Sequence, residues 1–166
     1  MKLIFTALVI GFVSTTTLYA QDAGFQWADE LSGSGALTVN EIGTDPSGNV
    51  YLGGYFTGEI DFDPSSSQVL LNSVGNQDMF IAKYTSSGAY VWAKQLGTAT
   101  QEQVKSLKID DSGNIYVCGF FYGTVDFDPN AGTFNMTSNG SSDGFLAKYN
   151  SSGTFIWAEK IGGTSP

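Results

Sequence analysis

A spacing of 65 residues limits what this chain can fold into more than any other feature it carries. Trp27-Ala28, Trp92-Ala93 and Trp157-Ala158 recur at that distance, and Ser47-Gly48-Asn49-Val50-Tyr51 maps onto Ser112-Gly113-Asn114-Ile115-Tyr116. The same step carries Asp61-Phe62-Asp63-Pro64 onto Asp126-Phe127-Asp128-Pro129, and the segment from Asp78 to Tyr84 onto that from Asp143 to Tyr149. No gap is needed, and about two positions in five are identical over a full period. The chain is an array of one supersecondary unit.

Each period reads as β-structure. The stretch from Asn114 to Phe121 is rich in β-branched and aromatic residues, and both its faces, Ile115/Val117/Phe121 and Tyr116/Cys118/Phe120, are apolar. Phe145 to Tyr149 and Phe155 to Ile161 are further strands, joined by a turn at Asn150-Ser151-Ser152-Gly153. Val104 to Ile109 is a fourth strand, and Thr124 to Ser138 is an inserted hairpin or extended loop. A four-stranded antiparallel unit that is apolar front and back hides that surface only by stacking on copies of itself.

Radial stacking of such units is a β-propeller. The expected class is all-β, an incomplete propeller with two four-stranded antiparallel blades at residues 36–100 and 101–166. An orphan strand from Phe25 to Leu31, within residues 21–35, matches the fourth strand of a unit whose first three are missing. Propellers have about 4 to 8 blades and are often latched by pairing the two chain ends, so this reads as the N-terminal part of a longer ring. The alternative is a ring assembled from several two-bladed chains.

The motifs G-N-[VI]-Y, G-x-[IV]-D-F-D-P, D-x-F-[IL]-A-K-Y-x-S-S-G and W-A resemble SBBP repeats, the seven-bladed β-propeller repeats of secreted bacterial proteins. The resemblance runs over nearly all of the chain after residue 20. It implies a propeller and no shared enzymatic activity.

Met1-Lys2, the apolar run from Leu3 to Val13 and the small-residue end Leu18-Tyr19-Ala20 have the layout of a secretory signal peptide over residues 1–20. The apolar run is about half the roughly 20 residues that a membrane span needs. A secreted or extracellular protein is expected, at the cell surface or in the periplasm as variants of that address. The lone Cys118 cannot form an internal disulfide and reads as a small buried residue on a strand.

Charge narrows the chemistry. The chain has 16 acidic residues against 7 Lys and Arg, no histidine and a net charge of −9. All seven bases are lysines. That composition excludes a Ser-His-Asp triad and His-ligated metals, and it argues against a nucleic-acid partner.

Asp61 and Asp63, like Asp126 and Asp128, lie two apart on extended chain and point the same way, so they are candidate Ca²⁺ ligands. The competing reading is that they bind backbone N–H groups where the chain turns at Pro64 and Pro129. A paired-carboxylate glycosidase needs no histidine, but its acids are needed once, whereas these recur in each unit. Glu41, Glu59 and Glu102 are unique to one unit. Asp45, Asp110 and Asp111 are placed to close tight turns, and Asp78 and Asp143 to satisfy backbone donors at a blade edge. The three tryptophans suit sugar stacking or, as part of a repeated apolar strand, packing between blades. The residues favour an exported, non-catalytic binding or scaffolding module with a protein or glycan partner. An extracellular carbohydrate-binding or polysaccharide-hydrolysing protein is the alternative.

Overall fold

The computed structural model describes residues 27–164. The signal segment and the first two residues of the expected orphan strand lie outside them. Ten strands follow in order: β1 (Ala36–Thr44), β2 (Val50–Thr57), β3 (Glu59–Asp61), β4 (Leu70–Asn72), β5 (Asp78–Tyr84), β6 (Tyr90–Leu96), β7 (Gln103–Ile109), β8 (Ile115–Asp126), β9 (Asn135–Tyr149) and β10 (Phe155–Ile161). The described residues are all-β and antiparallel, an incomplete propeller. One sheet has the order β1-β2-β5-β6 and the other β7-β8-β9-β10, with β3-β4 as a separate hairpin.

The repeat is copied into geometry. Both first strands carry a bulge, between Val39 and Glu41 in one unit and between Val104 and Ser106 in the other. Gly54 and Gly119 lie opposite, where a Cβ would stand 1.9 Å from the carbonyl oxygen of Thr38 or Gln103. A side chain there would collide with backbone, so the bulge requires glycine. The expected insertion at Thr124–Ser138 is a hairpin that prolongs β8 and β9, pairing Thr124 with Thr137 and Asp126 with Asn135. In the first unit the same hairpin is the detached β3-β4 pair.

Under each hairpin lies a triad of phenylalanines. Phe56, Phe62 and Phe80 have ring centroids 5.1–6.4 Å apart, and Phe121, Phe127 and Phe145 repeat the arrangement at 4.9–6.3 Å. All six are essentially buried. Tyr84 donates to the Phe62 carbonyl at 2.9 Å and Tyr149 to that of Phe127 at 3.0 Å, which ties each hairpin to its sheet.

The two sheets meet through apolar side chains. Tyr51, Met79, Ile81 and Leu96 of the first unit share a core with Val104, Leu107, Ile115 and Val117 of the second. The outer faces of this pair are less covered. Ile42 is 60% exposed whereas Leu107, its equivalent, is 1% exposed; Ile161 is 63% exposed whereas Leu96 is 3%.

Two expectations change here. Cys118 is exposed rather than buried. Its equivalent Gly53 lies against Val104 and Leu107 of the next unit, but no unit follows on the Cys118 side among the described residues. Likewise Trp27 to Leu31 runs without ladder pairing, because no third strand lies beside it among the described residues; the bridge nearest to it joins Gly33 to Ile60. Trp27 nevertheless occupies the repeat position of Trp92.

Candidate functional site

The repeated aspartates hold backbone. Asp61 Oδ1 accepts from the N–H of Asp63 and Val69, and Asp63 Oδ1 from that of Ser65. Asp126 and Asp128 reproduce this with Asp128, Phe134 and Asn130. Among the described residues no three His, Cys, Asp or Glu side chains come together as a metal-binding group.

Asp45 accepts from the N–H of Ser47 and Asn49 through one oxygen, and from the Asn49 amide and the Tyr51 hydroxyl through the other. Burial works to raise its pKa, but those hydrogen bonds outweigh it and hold the carboxyl below the ordinary range. Asp110 is held low chiefly by the Asn114 amide and makes the same set of bonds with Ser112, Asn114 and Tyr116. Asp111 occupies the position of Pro46 and lines a cleft of about 300 Å³ between the units, with Asp45, Lys83 and Ser151.

Asp78 is fully buried and accepts from the N–H of Val74 and Gly75 and from the Gln95 amide. Asp143 accepts from the N–H of Asn139 and faces Lys160 at 3.7 Å. Of the acids unique to one unit, Glu102 is buried under Thr98 and Thr100, and Glu41 accepts from Ser106 at 2.9 Å and faces Lys108 at 3.8 Å. Glu59 is half-buried on β3. Acids share two open clefts: Asp45 and Asp111 line the one of about 300 Å³ between the units, and Asp29 and Asp63 line one of about 350 Å³ beside Tyr90.

The tryptophans divide by position. Trp92 packs edge-on against Tyr51, and its Nε1 donates to the Ser151 carbonyl of the next unit at 3.3 Å. Trp27 makes the equivalent hydrogen bond one period earlier, donating to the Ser86 carbonyl at 3.0 Å. Trp157, third in the series, packs edge-on against Tyr116 and makes no such bond among the described residues.

The contact between units also contains a polar cluster that repetition does not reveal. Gln77 accepts from the amides of Gln101 and Gln103, the Gln77 carbonyl accepts from Glu102 N–H, and Asn40 donates to the Val104 carbonyl at 2.6 Å. One period away, Gln77, Gln101, Glu102 and Gln103 correspond to Ser142, Ala36, Leu37 and Thr38. The signal for this cluster is therefore where the two units differ.

The geometry is that of repeated blades whose polar side chains mostly secure turns and joints, and comparison with known proteins agrees. A family model described as SBBP, beta-propeller repeat, matches residues 26–59. An uncharacterized WD repeat-containing protein of Acanthamoeba polyphaga mimivirus is 28% identical over 156 residues, covering 87% of this chain and 11% of that protein. The regulatory protein FlaEY of Caulobacter vibrioides is 28% identical over 89 residues, covering 54% of this chain and 9% of its own length. The chain spans about a tenth of the length of these relatives. Among the described residues no helix is long and apolar enough to cross a membrane.

Proposed function

We propose that this chain is an exported, non-catalytic propeller module that binds or scaffolds a partner, and that it supplies two consecutive units of a longer ring. The observation that carries the reading is the use made of the repeated carboxylates: Asp45, Asp61, Asp78 and their equivalents bind backbone donors, which positions loops rather than a reaction. The β1-β2 and β5-β6 turns come out at the same end of their sheet, as antiparallel order demands, and the second unit repeats this. Rigid blades with turns gathered at one end are a binding platform. The match to a WD repeat-containing protein supports a non-catalytic repeat module, and the basic, apolar start of the sequence supports export.

The test is a paired assay on the chain lacking residues 1–20. Affinity capture from the culture medium of the source cell, read by mass spectrometry, is expected to recover a partner that is lost when the Asp45–Asn49 and Asp110–Asn114 turns are replaced. Hydrolysis of a polysaccharide panel is expected to be nil. Turnover that disappears in Asp126→Asn, with the circular dichroism spectrum unchanged, would overturn the module reading in favour of a hydrolase.

A further inference from the structure

We propose that the cleft bordered by Asp29, Asp63 and Tyr90 receives a lysine or arginine side chain presented by a partner protein, a site that rests on the binding-module reading and gives its partner a chemistry.

The second unit shows how the equivalent place is filled from within the chain. Lys94 of β6 lies across Gly153, where a Cβ would stand 3.3 Å from its Cγ and Cε, and its ammonium donates to Asn130 Oδ1 at 3.0 Å. The Asn130 amide is held in turn by Asp128 Oδ1 and the Gly153 carbonyl, which leaves its oxygen for the lysine. The joint between the two units therefore holds a cation beside the base of the hairpin.

One period earlier the frame is kept and its contents are changed. Trp27 and Asp29 stand over Gly88 as Trp92 and Lys94 stand over Gly153: a Cβ on Gly88 would lie 2.6 Å from Asp29 Oδ2 and 3.0 Å from the Trp27 ring. Asp63 takes the place of Asp128 and accepts from the Ser65 N–H through Oδ1. Asp29 replaces Lys94, Ser65 replaces Asn130, Val69 replaces Phe134 and Tyr90 replaces Phe155. The first two exchanges remove the ammonium and the amide that held it, and add a second carboxylate. The third removes the ring that packs on Phe155 at 4.9 Å, so Tyr90 is left without that neighbour. What remains is an open cleft of about 350 Å³ lined by both aspartates, Ser65, Ser87 and Tyr90. Its borders match, position for position, a joint that has both of its units, so adding a unit behind Trp27 does not fill it.

Charge says what fits. Among the described residues no lysine comes within 4.0 Å of Asp29 or Asp63, and the chain as a whole carries a net charge of −9. An incoming ammonium or guanidinium would gain charge-assisted hydrogen bonds from two carboxylates and relieve their mutual repulsion. Tyr90 adds a ring for the cation to lie against, as Lys83 and Lys148 already lie 4.9 and 4.7 Å from the ring centres of Tyr51 and Tyr116. The cleft opens beside the β5-β6 turn, at the end of the sheet where the turns gather.

Nitrogen-15 NMR titrations of the chain lacking residues 1–20 test this, with N-acetyl-lysine amide and N-acetyl-arginine amide as probes and N-acetyl-norleucine amide as the uncharged control, at matched ionic strength. Both basic probes are expected to give saturable shifts at Gly88, Ala89 and the Trp27 indole, and the control none. Asp29→Asn should weaken them by about fivefold, the loss of one charge-assisted contact. Asp29→Lys with Ser65→Asn copies the second unit and should abolish binding, whereas Lys94→Asp with Asn130→Ser should open a second site, read at Gly153, Thr154 and the Trp92 indole. Asp29 and Ser65 are exposed, so the first pair keeps its fold, which the remaining amide signals verify. Absence of saturable shifts in the parent, equal shifts from norleucine amide, binding unchanged in the Asp29→Lys pair, or the same shifts produced by maltose in place of the basic probes would each overturn the proposal. Partner capture that persists while the probes fail would remove this cleft and leave the binding module standing; probe binding with nothing captured would do the reverse.

Discussion

Asp45 and Asp110 show how much of the fold depends on one carboxylate per turn. Each caps a Ser-Gly-Asn turn with bonds that only the ionised form fully accepts, and each is held below the ordinary carboxylate range. A depressed folded pKa gives stability that is complete above the unfolded value near 4 and is lost as pH falls through the folded value. Urea midpoints measured from pH 6 to pH 2 should fall in that window, and Asp110→Asn should show a shallower fall than the parent.

Tyr149 behaves oppositely. Burial, followed by the charges of Asp128 and Asp126, raises its pKa, so its contribution is complete below about pH 10 and declines as pH rises and the unfolded chain ionises. Tyr149→Phe leaves the buried Phe127 carbonyl without its donor, and should cost about 1–3 kcal/mol in urea denaturation with the m-value unchanged.

At the scale of the strand, the bulge and its glycine are one feature. Gly119→Ala places a methyl carbon against the Gln103 carbonyl oxygen, and Gly54→Ala does so against Thr38, in both cases with the ring of a buried phenylalanine about 3.0 Å away on the other side. Each should destabilise by about 2 kcal/mol or more, and similarly, since the surroundings are equivalent; thermal melts of the two variants measure this. The strands were legible from the repeat because period-2 patterning and turn residues recur in register. β10 spans the residues the sequence suggested, Phe155–Ile161, and β7 differs by one residue.

What the sequence concealed lies at the joint. Alternation marks Tyr116, Cys118 and Phe120 as one face of β8, but burial depends on whether a neighbour stands there, and that information is not local. Gln77 and Gln103 were unread for the converse reason, and Glu102 was noted only as an acid unique to one unit: they serve the junction between these units, so the repeat gives them no counterpart. The aspartates, which do recur, were legible as turn and hairpin anchors.

For the whole molecule, position within the array matters more than residue type. Ile42 and Leu107 are the same site of the repeat, with similar side chains on the first strand of each sheet, yet one is 60% and the other 1% exposed. Truncating a buried leucine costs about 2–5 kcal/mol, because apolar contact is lost and a cavity remains, whereas a mostly exposed aliphatic loses little. Leu107→Ala should therefore lower stability by that amount. Ile42→Ala should stay within about 0.5–1 kcal/mol of the parent. Because Leu107 shares a core with Met79, Ile81 and Leu96 of the first unit, its loss should weaken both sheets at once and leave one cooperative transition, seen at the same urea concentration by tryptophan fluorescence and by far-ultraviolet circular dichroism. Two separated transitions would mean that the units are stable independently, and that stacking contributes less than the 65-residue repeat implies. Equal losses from Leu107→Ala and Ile42→Ala would mean that Ile42 is covered in solution, and hence that the leading face of the first unit already has an occupant.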